Sequence, residues 1–361
     1  MRAAKLLSIQ TSSLYDYLRS LIDVYSNIVG IEWLKKQIQN NENADVVKRI
    51  GLIDKLSLDL LKDFDQISKD DMSFLLQISL DAFAVEIASS GKDIDLAKVL
   101  GRKKDVRGRL SGKGAPEWYF EVLIQGWYQE KSDVVNLDID SLGLLKKGDS
   151  KCDFMISHAK GSERFDLVEC KKISPDPVSP SDDDLDMDRL NIKIIERIKN
   201  VALPQLIASR EVLSDKYDLG KNNVFVDITS YKENSTFLLP DCQRNNTHAY
   251  GFTQSQVDEL VRHLKREYFK SLDGLIICWT NFLVIKGFPR AIVHNATHID
   301  YSPDGNSIDK YGGWTVEMYP KSSMEGVREI RVSETARDWE HIVTTFNNLS
   351  DPSSFIKGSE L

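Results

Sequence analysis

Cysteine is scarce in this chain. Its four cysteines in 361 residues, Cys152, Cys170, Cys242 and Cys278, show no zinc-ligand spacing and are too sparse for a disulfide framework. That excludes a zinc-knuckle protein and a small disulfide scaffold. A P-loop is also lacking: no Gly-x(4)-Gly-Lys-Ser/Thr occurs, so any nucleotide-driven step belongs to a separate chain. There is no long apolar run. The longest, Leu275 to Ile285, is broken by Thr280 and Asn281 and is too short for a bilayer span. The start, Met1-Arg2-Ala3-Ala4-Lys5-Leu6-Leu7, has no sustained apolar signal core, so a cytoplasmic protein without membrane contact is expected. No internal repeat of fixed period stands out. Excess positive charge is missing too. A net charge of −8 disfavours indiscriminate coating of DNA but leaves room for a local basic groove. What remains is ordinary: 41% hydrophobic and 28% charged residues, with length enough for two domains and a real core.

Chemistry concentrates in two short segments. Cys152-Asp153-Phe154-Met155-Ile156 and Phe165-Asp166-Leu167-Val168-Glu169-Cys170-Lys171 both read as strands. Residues i and i+2 of a strand share a face, so Glu169 and Lys171 project together and Val168 and Cys170 point the other way. Between the segments, Ala159-Lys160-Gly161-Ser162-Glu163 offers a glycine for a hairpin turn. A turn centred on Gly161 pairs Asp153 with Glu169, and Cys152 with Cys170 as cross-strand neighbours. A slip of one residue would send the two acids to opposite faces.

The flanks extend the pattern. Ser111 to Ala115 reads as loop, and Pro116 suits a first helical turn. Trp118, Val122, Ile124, Gln125 and Tyr128 recur at helical spacing. A strand starts at Val134-Val135-Asn136-Leu137. A Pro-, Ser- and Asp-rich loop runs to Asp188, a long helix covers about Leu190 to Leu213, and Val224 to Ile228 reads as the next strand. The predicted order is helix, three strands, helix, strand.

This order, with Asp153 and the triplet Glu169-Cys170-Lys171, resembles the PD-(D/E)xK nuclease superfamily, the restriction-endonuclease-like proteins. The resemblance covers roughly residues 112 to 230. Cys152 stands where the family's proline would be, a tolerable loss because that proline ligates nothing. The resemblance implies an α/β fold: a restriction-endonuclease-like mixed sheet flanked by helices. It implies a Mg²⁺- or Mn²⁺-dependent nuclease, in which Asp153, Glu169 and the Cys170 backbone carbonyl hold the ion and Lys171 acts on water or phosphate. Family members often add a glutamate from the first helix. Glu117 and Glu121 share a helix face; Glu121 is preferred, since Glu117 lies in the first turn, where an acid favours the helix dipole anyway. The implied catalytic set is Glu121, Asp153, Glu169 and Lys171. Gln205, on the second helix, falls where some relatives carry a polar residue near the substrate, although a surface glutamine is the simpler reading.

DNA is the expected partner rather than RNA, with endonucleolytic cutting in defence, restriction or repair. A basic stretch, Arg102, Lys103, Lys104, Arg107 and Arg109 with Lys113 beyond it, leads into the first helix and is a candidate phosphate contact; the plainer alternative is a solvated linker. A homodimer or a separate partner protein is the expected assembly. Residues 1–110 read as a helical domain for docking, oligomerisation or regulation, and residues 111–361 as the nuclease-like domain with a C-terminal extension. In that extension, Leu275 to Trp279, Phe282 to Ile285 and Trp314 to Met318 read as strands, Asp338 to Leu349 as a helix, and His294 and His298 as loop histidines. The acid run from Asp182 to Asp188 reads as a solvated loop and helix start, with calcium binding the lesser alternative because no EF-hand pattern is present. Two rival classes stand beside the enzyme: a catalytically silent nucleic-acid-binding or assembly module of the same fold, and an unrelated α/β protein whose Glu-x-Lys is accidental.

Overall fold

The computed structural model describes residues 29–62, 117–121, 135–139, 151–157, 164–173, 187–231, 236–238, 247–285, 288–302, 305–311, 314–317 and 329–331, and positions 22, 26, 107, 108, 110, 111, 124 and 125. The turn at 159–163, the acids at 182–186, the helix expected at 338–349, Arg102, Lys103, Lys104, Arg109 and Lys113 lie outside the described residues.

Two helices come first, α1 (Ile31–Asn40) and α2 (Asp45–Lys62). Gly30 precedes α1 with φ 88°, a left-handed conformation that glycine adopts without Cβ strain. Residues 117–121, 124 and 125 are helical. Then follow β1 (Val135–Asp138), β2 (Phe154–Ser157) and β3 (Arg164–Lys172). A crossover of α3 (Met187–Arg197), a π turn (Ile198–Ala202) and α4 (Leu203–Leu213) leads to β4 (Asp218–Asp227). Beyond it come β5 (Thr236–Leu238), β6 (Thr247–Tyr250), α5 (Gln254–His263), β7 (Gly274–Ile285), β8 (Phe288–Ser302), β9 (Gly305–Tyr311), β10 (Trp314–Glu317) and β11 (Glu329–Arg331).

The strands form one mixed sheet in the order β1-β2-β3-β4-β7-β8-β10-β11, with β6 also on β7 and β9 also on β8. β1, β2 and β3 are antiparallel, whereas β3, β4 and β7 run parallel, the pairing that a helical crossover allows. The class is therefore α/β. The β2–β3 register is Phe154 to Val168, Met155 to Leu167 and Ile156 to Asp166, the one that a turn centred on Gly161 requires. His294 and His298 lie within β8, because the hairpin with β7 runs without interruption through both; the loop expected there is absent.

Alternation along the strands sorts the core into two layers. Met155, Leu167, Val224, Val226, Leu275 and Ile277 pack under α3, α4 and α5. Phe154, Ile156, Val168, Cys170, Phe225 and Ile276 pack on the opposite face against Phe120 and Ile124 of the 117–125 helix. Trp118, Tyr119 and Phe120 are all buried. Three successive buried residues cannot share one helix face, so this helix is covered on both sides. Arg49 of α2 provides part of the outer cover, with its guanidinium carbon 4.9 Å from the Tyr119 ring centroid and an ion pair to Asp45.

The crossover is one helical run whose core residues, Leu190, Ile194, Ile198, Ala202 and Leu206, recur every fourth position. In a pure α-helix that spacing would rotate the stripe steadily off the sheet. The π turn, wider per turn, counters the rotation. Pro204 accounts for its place: proline has no N–H to give, and its ring would strike the carbonyl four residues back. The Leu203 N–H instead reaches the Ile198 carbonyl. At the other side of the fold, α5 starts with a capping box, in which the Thr253 hydroxyl accepts from the Gln256 N–H and the Gln256 side chain accepts from the Thr253 N–H. Among the described residues, no helix is long and apolar enough to cross a membrane.

Candidate functional site

Asp153 stands immediately before β2. The main-chain ladder with β3 stops at Phe154, and the Asp153 side chain takes its next place: Oδ2 accepts the Cys170 N–H at 2.7 Å, while the Asp153 N–H donates to the Val168 carbonyl at 3.1 Å. Two bonds from α4 fix the approach. The Cys152 N–H donates to Ser209 Oγ at 2.8 Å, and Gln205 Nε2 donates to the Lys151 carbonyl at 3.1 Å.

On β3, Glu169 and Lys171 leave from the same face, as a spacing of two dictates, and form a direct ion pair. Glu169 is completely buried and Lys171 6% exposed. Lys171 satisfies Glu169 Oε1, but Oε2 has no hydrogen-bond partner among the described residues. An unpaired carboxylate oxygen at that depth costs free energy on the order of several kcal/mol unless it is protonated or meets a cation.

The electrostatics describe one cluster. Burial pushes the Glu169 carboxyl well above the usual carboxylate range, and Asp153 and Glu121 push it further, while Lys171 pulls the other way. For Lys171 the balance differs. Burial draws the ammonium down, but Glu169 and then Asp153 outweigh it and lift Lys171 above its ordinary value. Glu169 and Asp153 together favour the charged form of Lys171, and the crowding of carboxylates favours the neutral form of Glu169.

The structure accordingly brings Glu121, Asp153, Glu169 and Lys171 together. Glu121 comes from the helix beneath the opposite face of the sheet, and Gln125 Nε2 approaches it at 3.4 Å. Glu117, one turn earlier, is elsewhere, exposed and paired with Arg197 of α3. Arg107, the described member of the basic stretch, directs its guanidinium inward: Nε and Nη2 donate to the Val29 carbonyl at 2.9 and 2.6 Å, and the guanidinium carbon lies 5.7 Å from the Trp33 ring centroid.

Cys152 and Cys170 are both buried and free, but they are not cross-strand neighbours. Cys152 belongs to the layer under α4 and Cys170 to the opposite one. Cross-strand pairing would need the ladder to continue past Asp153; the chain bends there, toward Ser209. Burial pushes both thiols well above their ordinary pKa, so neither is a reactive thiolate.

A second buried polar group escapes the sequence patterns. Lys172 faces away from Lys171 and lies 3.7 Å from Asp227 Oδ2. Asp227 Oδ1 accepts from the Thr229 N–H and hydroxyl at 2.9 and 2.5 Å, and Thr229 Oγ1 accepts from the Thr280 N–H at 3.1 Å. Lys172 and Asp227 are register partners on parallel strands. The aspartate ending the run Val224 to Asp227 is the signal that could have found it.

The oxygens of Asp153, Glu169 and Glu121, with the Cys170 carbonyl, are hard donors of the kind that Mg²⁺ and Mn²⁺ take. Among the described residues, no group of three or more His, Cys, Asp or Glu side chains is placed so that it could hold a metal ion; Lys171 and the Cys170 N–H engage two of the oxygens. Comparison with family models, curated proteins and solved structures finds no match for this chain.

Proposed function

We propose that the chain is a divalent-metal-dependent nuclease of the PD-(D/E)xK type, cutting DNA endonucleolytically in defence, restriction or repair. One observation carries the reading: a fully buried glutamate with an unpartnered oxygen, in electrostatic contact with Asp153, Lys171 and Glu121. Buried ion clusters are poor stabilisers, so a purely structural role explains this arrangement badly. The strand order, helical crossover and β2–β3 register support this reading.

The donors are hard oxygens of the kind a divalent cation takes, and holding one needs them to shift from the arrangement described. A divalent ion there would activate a water and polarise a scissile phosphate. The chain's own residues supply the rest. Asp153 and Glu169 would hold the ion, together with the Cys170 carbonyl. Lys171, protonated, neutralises charge developing on the phosphate oxygens. Glu121 reaches the cluster from the first helix and adds negative charge that draws the cation in.

The second reading is a catalytically silent nucleic-acid-binding or assembly module. The closed Lys171–Glu169 ion pair favours it, since that pair needs no metal. A plasmid-nicking assay separates the two. A nuclease should nick in Mg²⁺ or Mn²⁺, but not in EDTA and not as Asp153→Ala. Equal nicking in EDTA, or wild-type rates in Asp153→Ala, would refute it.

A further inference from the structure

We infer that Gln205 and Ser209 are positioning residues that clip the chain at 151–152 onto α4 and so aim the Asp153 carboxylate at the Glu169–Lys171 pair. The clip rests on the metal-site reading for its purpose, but its geometry stands apart from it. Asp153 keeps one main-chain bond to β3, from its N–H to the Val168 carbonyl, but the residue-to-residue register ends at Phe154. The two residues before Asp153 therefore need another anchor. Two side chains meet that need, one on each residue before it: Gln205 Nε2 on the Lys151 carbonyl and Ser209 Oγ on the Cys152 N–H. They are four apart and so share one helix face. Ser209 is completely buried, where a hydroxyl costs free energy unless hydrogen bonds offset its desolvation. The π turn makes the alignment possible. It resets the phase of α4 just before Gln205, so that Leu206 and Leu213 stay in the core while Gln205 and Ser209 meet the incoming strand.

The clip has a readout independent of metal. The Cys170 N–H is held by Asp153 Oδ2, so its hydrogen exchange reports where the carboxylate points. Ser209→Ala and Gln205→Met each remove one bond without adding bulk. Leu213→Val, in the same helix, is the control for simple loss of stability. Exchange is followed at the Cys170 amide of the full chain, alongside calorimetric Mn²⁺ titration. In both clip variants the Cys170 amide should exchange about tenfold faster, the scale of one net hydrogen bond. Mn²⁺ affinity should fall by a similar factor, while Leu213→Val changes neither. Faster exchange in a protein that binds no Mn²⁺ even as wild type would uphold the positioning and refute the metal reading. Unchanged Cys170 exchange would overturn the clip. Gln205 is only half-buried, so Gln205→Met decides the matter if Ser209→Ala does not fold.

Discussion

At the scale of single residues, the proposed nuclease site would divide its labour by charge. Lys171 cannot ligate a cation while protonated, and its neighbours keep it protonated. Lys171→Ala should therefore lower cleavage by roughly a hundredfold, equivalent to about 3 kcal/mol of transition-state stabilisation. Mn²⁺ should bind this variant at least as tightly as wild type, because a competing positive charge beside the carboxylates is gone. Nicking rates with calorimetric titration check both halves; wild-type cleavage, or loss of Mn²⁺ binding, would break the assignment. On the proposed nuclease reading Asp153 carries two duties, since it also closes the sheet at Cys170. Asp153→Asn should keep that bond and the fold but lose most metal affinity. A variant that titrates Mn²⁺ like wild type would show that the carboxylate charge is dispensable.

At the scale of elements, the polar start of β4 offers a test of how the sheet is held. Asp166 Oδ1 accepts the Lys221 N–H at 2.7 Å across an irregularity in the β3–β4 register. A Cβ on Gly220 would collide with that same oxygen. Gly220→Ala should displace the carboxylate and destabilise the fold by about 1–3 kcal/mol, the cost of stranding a buried polar group, measured by urea unfolding. An unchanged midpoint would mean that the bulge has room to adjust. Strand pairing is the most legible part of the sequence: one glycine and a period of two suffice to place Glu169, Lys171 and the β2–β3 register. The crossover helix is legible in extent but not in its π turn, because the stripe of every fourth residue reads as ordinary amphipathicity until Pro204 is weighed against it. The pairing of Cys152 with Cys170 fails because pattern extrapolates a ladder and cannot see where a tertiary contact, here Ser209, bends the chain out of it. The Lys172–Asp227 pair and the clip on Lys151 and Cys152 join segments distant in sequence, which periodicity alone does not link.

At the scale of the whole molecule, the crowded carboxylates couple stability to pH and to cations. The folded state raises the pKa of Glu169, so the folded protein binds a proton more readily than the unfolded chain. This contribution to stability is fully present below the ordinary carboxylate range and is lost as pH rises through the raised folded value. The metal-free protein should therefore lose stability with rising pH over that window. If Mg²⁺ binds this cluster as proposed, it competes with the proton and should raise the melting temperature more at pH 8 than at pH 6, as thermal unfolding at the two pH values would register; an equal rise at both would contradict the coupling. Whether Asp153, Glu169 and Glu121 form a divalent cation site is decided by calorimetric Mn²⁺ titration in two buffers of different ionisation enthalpy. Binding should be saturable and abolished by Asp153→Ala. A difference between the buffers should reveal proton release, because a cation on Glu169 would compete with the proton that its raised pKa favours. Absence of binding to the folded wild type, or equal binding to Asp153→Ala, would contradict the cation site.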